Sequence, residues 1–224
     1  MKIANAILIL LQNILGFFCL ISAVEKSYLL SSYLILGLVI VEIIKKIWFK
    51  KSYISVKKIN FTGNLIWIGS ATSIVLWRMF FNKFGMLGTG ISLIFIISAI
   101  VWHTKNCERE YKDINYTGLY LPAAGGLIVS GLITIINTGI ELINFLKVIS
   151  VLVLFISYLM VSDIEYYNFV KFQTKNVKNI LYFCSIFTLI IIIGFYSKWW
   201  GMLVIFSIYL FYGIVKEVKK RWIR

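Results

Sequence analysis

The sequence predicts an all-α membrane protein: one transmembrane domain over residues 1–224, a polytopic bundle of about eight helices with both termini cytoplasmic. Three observations predict it. Hydrophobic residues form 60% of the chain and charged residues 14%, too few charges to cover the surface of a soluble domain of this size. Apolar runs near the ~20 residues that cross a bilayer as a helix recur at short intervals. Lysine and arginine gather in alternate connections, as they do when cytoplasmic loops hold the positive charge. The mean hydropathy of +0.90 agrees, and a single proline leaves no sign of a linker to a second domain.

The runs fall at about 4–24, 28–44, 61–81, 86–102, 118–137, 142–162, 178–196 and 200–215. The first resembles a signal sequence, with Lys2 ahead of it and "SAVEKS" after it. Asn5, Gln12 and Asn13 interrupt the run, however, and it exceeds a usual signal core, so it is read as a helix. Residues 82–85 allow only a tight hairpin between the third and fourth runs. With a cytoplasmic N-terminus, eighteen Lys and Arg residues fall on the cytoplasmic side and four (Lys26, Arg78, Lys83 and Lys198) on the other. The cytoplasmic set includes Lys45, Lys46, Lys50, Lys51, Lys57 and Lys58, packed between the second and third runs. Most tryptophans lie near proposed helix ends, Trp67 being an exception. The formal charge of +14 is thus a topological signal, and no nucleic-acid partner is expected.

Catalytic motifs of soluble enzymes are absent: there is no glycine-rich phosphate loop, no GxSxG and no HExxH. His103, the single histidine, stands beside Trp102 and reads as an interfacial residue. Cys19, Cys107 and Cys184 form no CxxC or Cys/His cluster, which argues against a disulfide framework or a zinc site. Lys147 and Arg78 are near enough to run ends to snorkel to the interface. So few embedded charges also argue against an ion pathway.

Separated stretches carry a family resemblance. "NYTGLYLPAAGGLIVSG" (115–131) resembles an F-x-G-[LM]-P-x-P-A-A-G region, with Gly118 and Pro122 kept and Tyr120 in place of the first proline. "ISYLMVSDIEYYNFVKF" (156–172), which contains Ser162, is close to L-S-Y-L-M-V-S-x-I-x-[FY]-x-x-F-K. "VWHTKNCE" (101–108), with Lys105 and Asn106, sits where R-L-x-[KR]-F-N is expected. "NAILILLQNILGFFCLISA" (5–23) fits an opening that places Asn5, Asn13 and Gly16. Together they resemble the bacterial phosphatidylserine synthases (CDP-diacylglycerol–serine O-phosphatidyltransferases) of the CDP-alcohol phosphatidyltransferase family. The likeness covers roughly residues 4–172 and leaves two further helices, about 178–215, beyond the family-like core.

That resemblance implies a signature D-x-x-D-G-x-x-A-R-x(8)-G-x-x-x-D-x-x-x-D, whose aspartates hold divalent Mg²⁺ or Mn²⁺ against the CDP-lipid pyrophosphate. On this chain the acidic positions fall on Glu42, Lys45, Gly63 and Trp67, the two glycines on Lys46 and Ile59, and the alanine and arginine on Phe49 and Lys50. Two hard cations need several shared carboxylates. Glu25 and Glu42 are the only acidic residues before Glu108, and Glu25 lies in a loop of the opposite face. No catalytic residue, metal ligand or cofactor is therefore expected.

The expectation is a pseudoenzyme on a phosphatidylserine-synthase-like scaffold, in the plasma membrane of a bacterium. It would bind anionic or CDP-linked phospholipid, or regulate a partner in phospholipid metabolism. Lys45, Lys46, Lys50, Lys105 and Asn106 are the candidates for meeting a lipid phosphate. A homodimer, or a heterodimer with an active relative, is implied by the resemblance. Two alternatives are an active phosphatidyltransferase with a non-standard site around Glu42 and Lys50, and a transporter-like or purely structural protein.

Overall fold

The computed structural model describes residues 2–48, 62–111, 115–138, 142–166 and 200–222. They form α1 (Lys2–Val24), α2 (Tyr28–Trp48), α3 (residues 62–84), α4 (Met86–Tyr111), β1 (Tyr116–Thr117), α5 (Leu121–Thr138), α6 (Leu142–Val161), β2 (Glu165–Tyr166) and α7 (Trp200–Trp222). Among the described residues, five stretches are long and apolar enough to cross a bilayer: Ala6–Val24, Tyr28–Lys46, Met86–Arg109, Leu121–Thr138 and Trp200–Lys219. The chain is an all-α membrane protein. The predicted run 178–196, and Phe49, Lys50 and Ile59 of the signature, lie outside the described residues.

α1 and α2 form a tight antiparallel hairpin. Ser27 N–H donates to Ser22 O at 2.9 Å and Lys26 N–H to Ala23 O at 3.3 Å, closing the end of α1. The turn puts Lys26 at φ 64°, a left-handed position that usually falls to glycine. α3 and α4 meet at Gly85, φ 54°, as tightly as the short connection predicts.

α5 is the central helix. Every residue from Leu121 to Ser130 is buried, because Ala123, Ala124, Gly125 and Gly126 let neighbours close in. A Cβ on Gly125 would lie 2.8 Å from Ile68 of α3, and one on Gly126 would lie 2.4 Å from the Phe206 ring of α7. Pro122 falls in the first turn of α5, where its missing N–H loses no helical bond. The outer faces of α1 and α7 leave Ile7, Phe17, Phe18, Ile208 and Phe211 exposed, the apolar surface that lipid tails cover.

Three features depart from the sequence reading. α2 continues past residue 44 to Trp48, so Lys45 and Lys46 belong to the helix and not to the following loop. α4 continues past residue 102 to Tyr111, so "VWHTKNCE" is helical. After residues 62–64, α3 passes through a π-helical turn, Leu65–Gly69, in which Ser70 N–H reaches back to Leu65 O before the regular helix Ser70–Phe84 begins. A π turn inserts one residue and re-aims the side chains ahead of it.

Connections at one end of the bundle are pinned by a two-stranded ladder, with Tyr116 opposite Tyr166 and Thr117 opposite Glu165. Gly118, at φ 81°, follows β1 and threads against the end of α6, where a Cβ would lie 2.0 Å from Met160 O. Its N–H donates to Ile164 O at 2.8 Å, and Leu119 N–H to Leu159 O at 3.0 Å. Ser162 closes α6, its hydroxyl donating to Leu159 O at 2.7 Å. Tyr166 then packs on Gly213 of α7, where a Cβ would lie 2.2 Å from its ring. Burial pushes the Tyr166 phenol up to about 12, so it acts as a neutral wedge at physiological pH.

Candidate functional site: a buried lysine pair beneath the loops

The end of the bundle that carries the ladder also gathers the polar residues singled out in the sequence. Glu42, Lys45 and Lys46 project from the last turns of α2, and all three are buried. At this position a charge costs several kcal/mol unless it is paired and hydrogen-bonded. The chain supplies a partner for each.

Lys45 Nζ lies 2.7 Å from Glu42 Oε2, one turn back on the same helix. It also donates to Gln12 Oε1 of α1. Gln12 in turn donates through Nε2 to Asn64 Oδ1 of α3 at 3.0 Å. One line of polar contacts thus joins α2, α1 and α3. Asn64 Nδ2, at its far end, is buried with no hydrogen-bond partner among the described residues. Gly63 lies beside this line, where a Cβ would make ordinary contact at 3.7 Å from Gln12 Nε2.

Lys46 turns the other way, toward the loops. Its ammonium donates to the Tyr116 hydroxyl and sits 4.7 Å and 4.3 Å from the ring centroids of Tyr116 and Tyr120. Those rings stack at 4.9 Å and 9°, and Trp102 of α4 flanks both at 5.5 Å and 5.7 Å. An ammonium held against electron-rich faces and a phenolic oxygen is stabilised by cation–π attraction as well as by the hydrogen bond.

Asn106 fixes the loop that presents the two tyrosines. Its Nδ2 donates to Trp102 O at 2.9 Å and Thr117 O at 2.8 Å, and its Oδ1 accepts from Thr117 N–H at 2.9 Å. Both sides of the amide are therefore engaged by the backbone and by neighbouring groups. Lys105, one residue earlier, faces outward: it donates to Val161 O at 2.7 Å and pairs with Asp163 at 3.1 Å. Lys105 thus lies at the same end of the bundle but is not joined to the Lys45 network.

Two of the remaining predicted positions meet across α1 and α3. The π turn brings Trp67 over α1, where its Nε1 donates to Asn13 Oδ1 at 2.7 Å. Gly16 receives the ring, and a Cβ there would lie 2.3 Å from it. Asn5 lies on α1 as well. Lys45, Gly63 and Trp67, three of the residues at the acidic positions that the resemblance implies, thus meet the same stretch of α1, Gln12 to Gly16, and Glu42 pairs with Lys45.

Among the described residues, the donor set does not fit a pair of divalent cations. The Glu42 carboxylate is already ion-paired with a lysine, and the oxygens linked to it there are the single amides of Gln12 and Asn64. Mg²⁺ asks for near-octahedral oxygen ligation, and two such ions ask for bridging carboxylates.

Sequence reasoning passed over Gln12, Asn64 and Tyr116. Gln12 carried a signal, as a polar residue interrupting an apolar run. Tyr120 carried another, as a departure from the resembled pattern. Comparison with protein-family models and with curated proteins gives no significant match to this chain.

Proposed function

We propose that the chain is a multi-pass membrane protein of the phosphatidylserine-synthase type in which transfer chemistry has been lost and lipid binding or partner regulation remains. The carrying observation is the 2.7 Å ion pair between Lys45 and Glu42, placed where the resembled signature has two metal-binding aspartates. A lysine there repels the cation that a phosphatidyl transfer of this type requires, and it occupies the carboxylate that survives.

In this reading the bundle has eight spans with both termini cytoplasmic, in a bacterial plasma membrane. The ends of α2, α4 and α7 that bear Lys46, Arg109 and Lys216 lie together around the β1–β2 ladder, which supports one positively charged face. The ligand is an anionic or CDP-linked phospholipid whose headgroup reaches that face. Lys50, Lys105 and the basic end of α7 are the candidates to meet its phosphates, whereas Lys45 and Lys46 are buried in contacts within the chain. A homodimer or a heterodimer with an active relative is the assembly that the resemblance implies.

The test is turnover and binding on the purified protein in nanodiscs. CDP-diacylglycerol is added with Mn²⁺ and then with a chelator, while CMP release and thermal shift are followed. The expected result is stabilisation without CMP, unchanged by the chelator and weakened in Lys50→Ala/Lys105→Ala. Metal-dependent CMP release sinks the non-catalytic reading. No thermal shift with any anionic phospholipid sinks the lipid-binding one.

A further inference from the structure

We infer that Lys45 is a built-in cation: its ammonium takes over the structural role of a divalent metal ion, drawing α1, α2 and α3 together at the site. The comparison with a metal rests on the reading just proposed, but the clamp itself rests on geometry alone. Lys45 Nζ is shared between the Glu42 carboxylate at 2.7 Å and the Gln12 amide oxygen, and Gln12 passes the connection to Asn64 at 3.0 Å. Glu42, Lys45, Gln12 and Asn64 are each no more than 3% exposed, so water does not compete for these contacts.

The charge logic is that of a metal site with the metal replaced. One carboxylate and one amide oxygen converge on a single positive centre that belongs to the chain. A metal ion reaches such a centre by mass action, so its loss loosens the helices. A lysine cannot leave. The consequence is a bundle whose packing at this end is indifferent to divalent ions and depends on the Lys45–Glu42 pair as a unit.

The geometry also says how a metal-responsive site would be made. The substitution Lys45→Asp removes the resident cation and adds a second carboxylate beside that of Glu42. The amide oxygen of Gln12, which accepts from Lys45, adds a third oxygen donor at the vacated position. Oxygen donors of this kind suit a hard divalent ion.

The experiment compares thermal unfolding of the full chain in nanodiscs with Mn²⁺ and with chelator, for wild type, Lys45→Asp, Lys45→Met and Glu42→Gln/Lys45→Met. The wild type is expected to melt at the same temperature in both conditions. Lys45→Met should melt roughly 10 °C lower, because it strands a buried carboxylate. The double variant should recover at least half of that loss, because the carboxylate's charge is removed too. Lys45→Asp should gain a stabilisation by Mn²⁺ that the wild type lacks.

A wild type stabilised by Mn²⁺, or a double variant as unstable as Lys45→Met, overturns the inference. Should Lys45→Asp fail to fold, the comparison of Lys45→Met with the double variant decides. CMP release is a separate readout: turnover with unaltered, metal-indifferent melting would remove the non-catalytic reading and leave the clamp standing.

Discussion

The Lys46 ammonium lies 4.3 Å from the centroid of the Tyr120 ring and 4.7 Å from that of Tyr116, at the buried end of α2. A lysine at a buried helix end needs an acceptor, and an aromatic face beside the Tyr116 hydroxyl supplies one. Tyr116→Phe keeps the stacked ring and removes the oxygen that accepts from Lys46. It should lose about 1.5–3 kcal/mol, the contribution of a hydrogen bond to a charged group, read as a lower melting temperature in detergent. Lys46→Met in the Tyr116→Phe background should return part of that loss. No recovery would mean that the hydroxyl contributes through other contacts.

Backbone geometry gives two predictions of opposite sign. Gly118 combines φ 81° with a Cβ position 2.0 Å from the Met160 carbonyl oxygen, so the obstacle is rigid backbone. Gly118→Ala should disrupt the ladder and lower stability by more than about 2 kcal/mol, since strain and overlap add. Lys26 also has a positive φ, 64°, but is exposed in the α1–α2 turn. Lys26→Gly should therefore stabilise the hairpin by about 0.5–1 kcal/mol. Melting curves of both variants check the pair, and a shift in the same direction would contradict the turn geometry.

The contact of α5 with α7 rests on the absence of one methyl group. A Cβ on Gly126 would lie 2.4 to 2.7 Å from three atoms of the Phe206 ring. Gly126→Ala should separate the two helices and cost about 1–3 kcal/mol, as overpacking does. Phe206→Leu removes the ring atoms that collide. The double variant should melt above Gly126→Ala alone, and a double variant that falls by the sum of both losses would disprove the contact.

What was legible in the sequence was the set of apolar runs, because burial in lipid demands length and hydropathy, and both are local properties. The described helices begin within a few residues of the predicted runs, and the tight turn at Gly85 falls where the short connection puts it. The helix ends were less legible. α2 and α4 run on past their apolar stretches because lysine and arginine are sound helix formers, and hydropathy records only where the lipid stops. The fate of Lys45 and Lys46 was only partly legible. Glu42 is a helix neighbour of Lys45, three positions back, but their other partners, Gln12 and Tyr116, are 33 and 70 positions away, and only the packing of α1, α2 and the β1 loop brings them together. The π turn escaped for a related reason: its register is set by Trp67 docking on Gly16, a contact between distant residues.

Two ion pairs of the same chemistry now provide an internal comparison. Lys45–Glu42 is 2.7 Å long with its side chains 2% and 3% exposed, whereas Lys105–Asp163 is 3.1 Å long with side chains 35% and 91% exposed. Solvent screens the second pair, so Asp163→Ala should change stability by no more than about 1 kcal/mol, and raising the salt concentration should erase even that. Glu42→Ala leaves the Lys45 ammonium without its carboxylate in a buried setting, and about 3–5 kcal/mol should be lost. Salt should do little to this larger effect, since ions do not reach the pair. Measuring both variants at low and high salt separates the two cases directly. Equal, salt-sensitive losses would place Glu42 and Lys45 in contact with water, and the clamp argued from their burial would then fail.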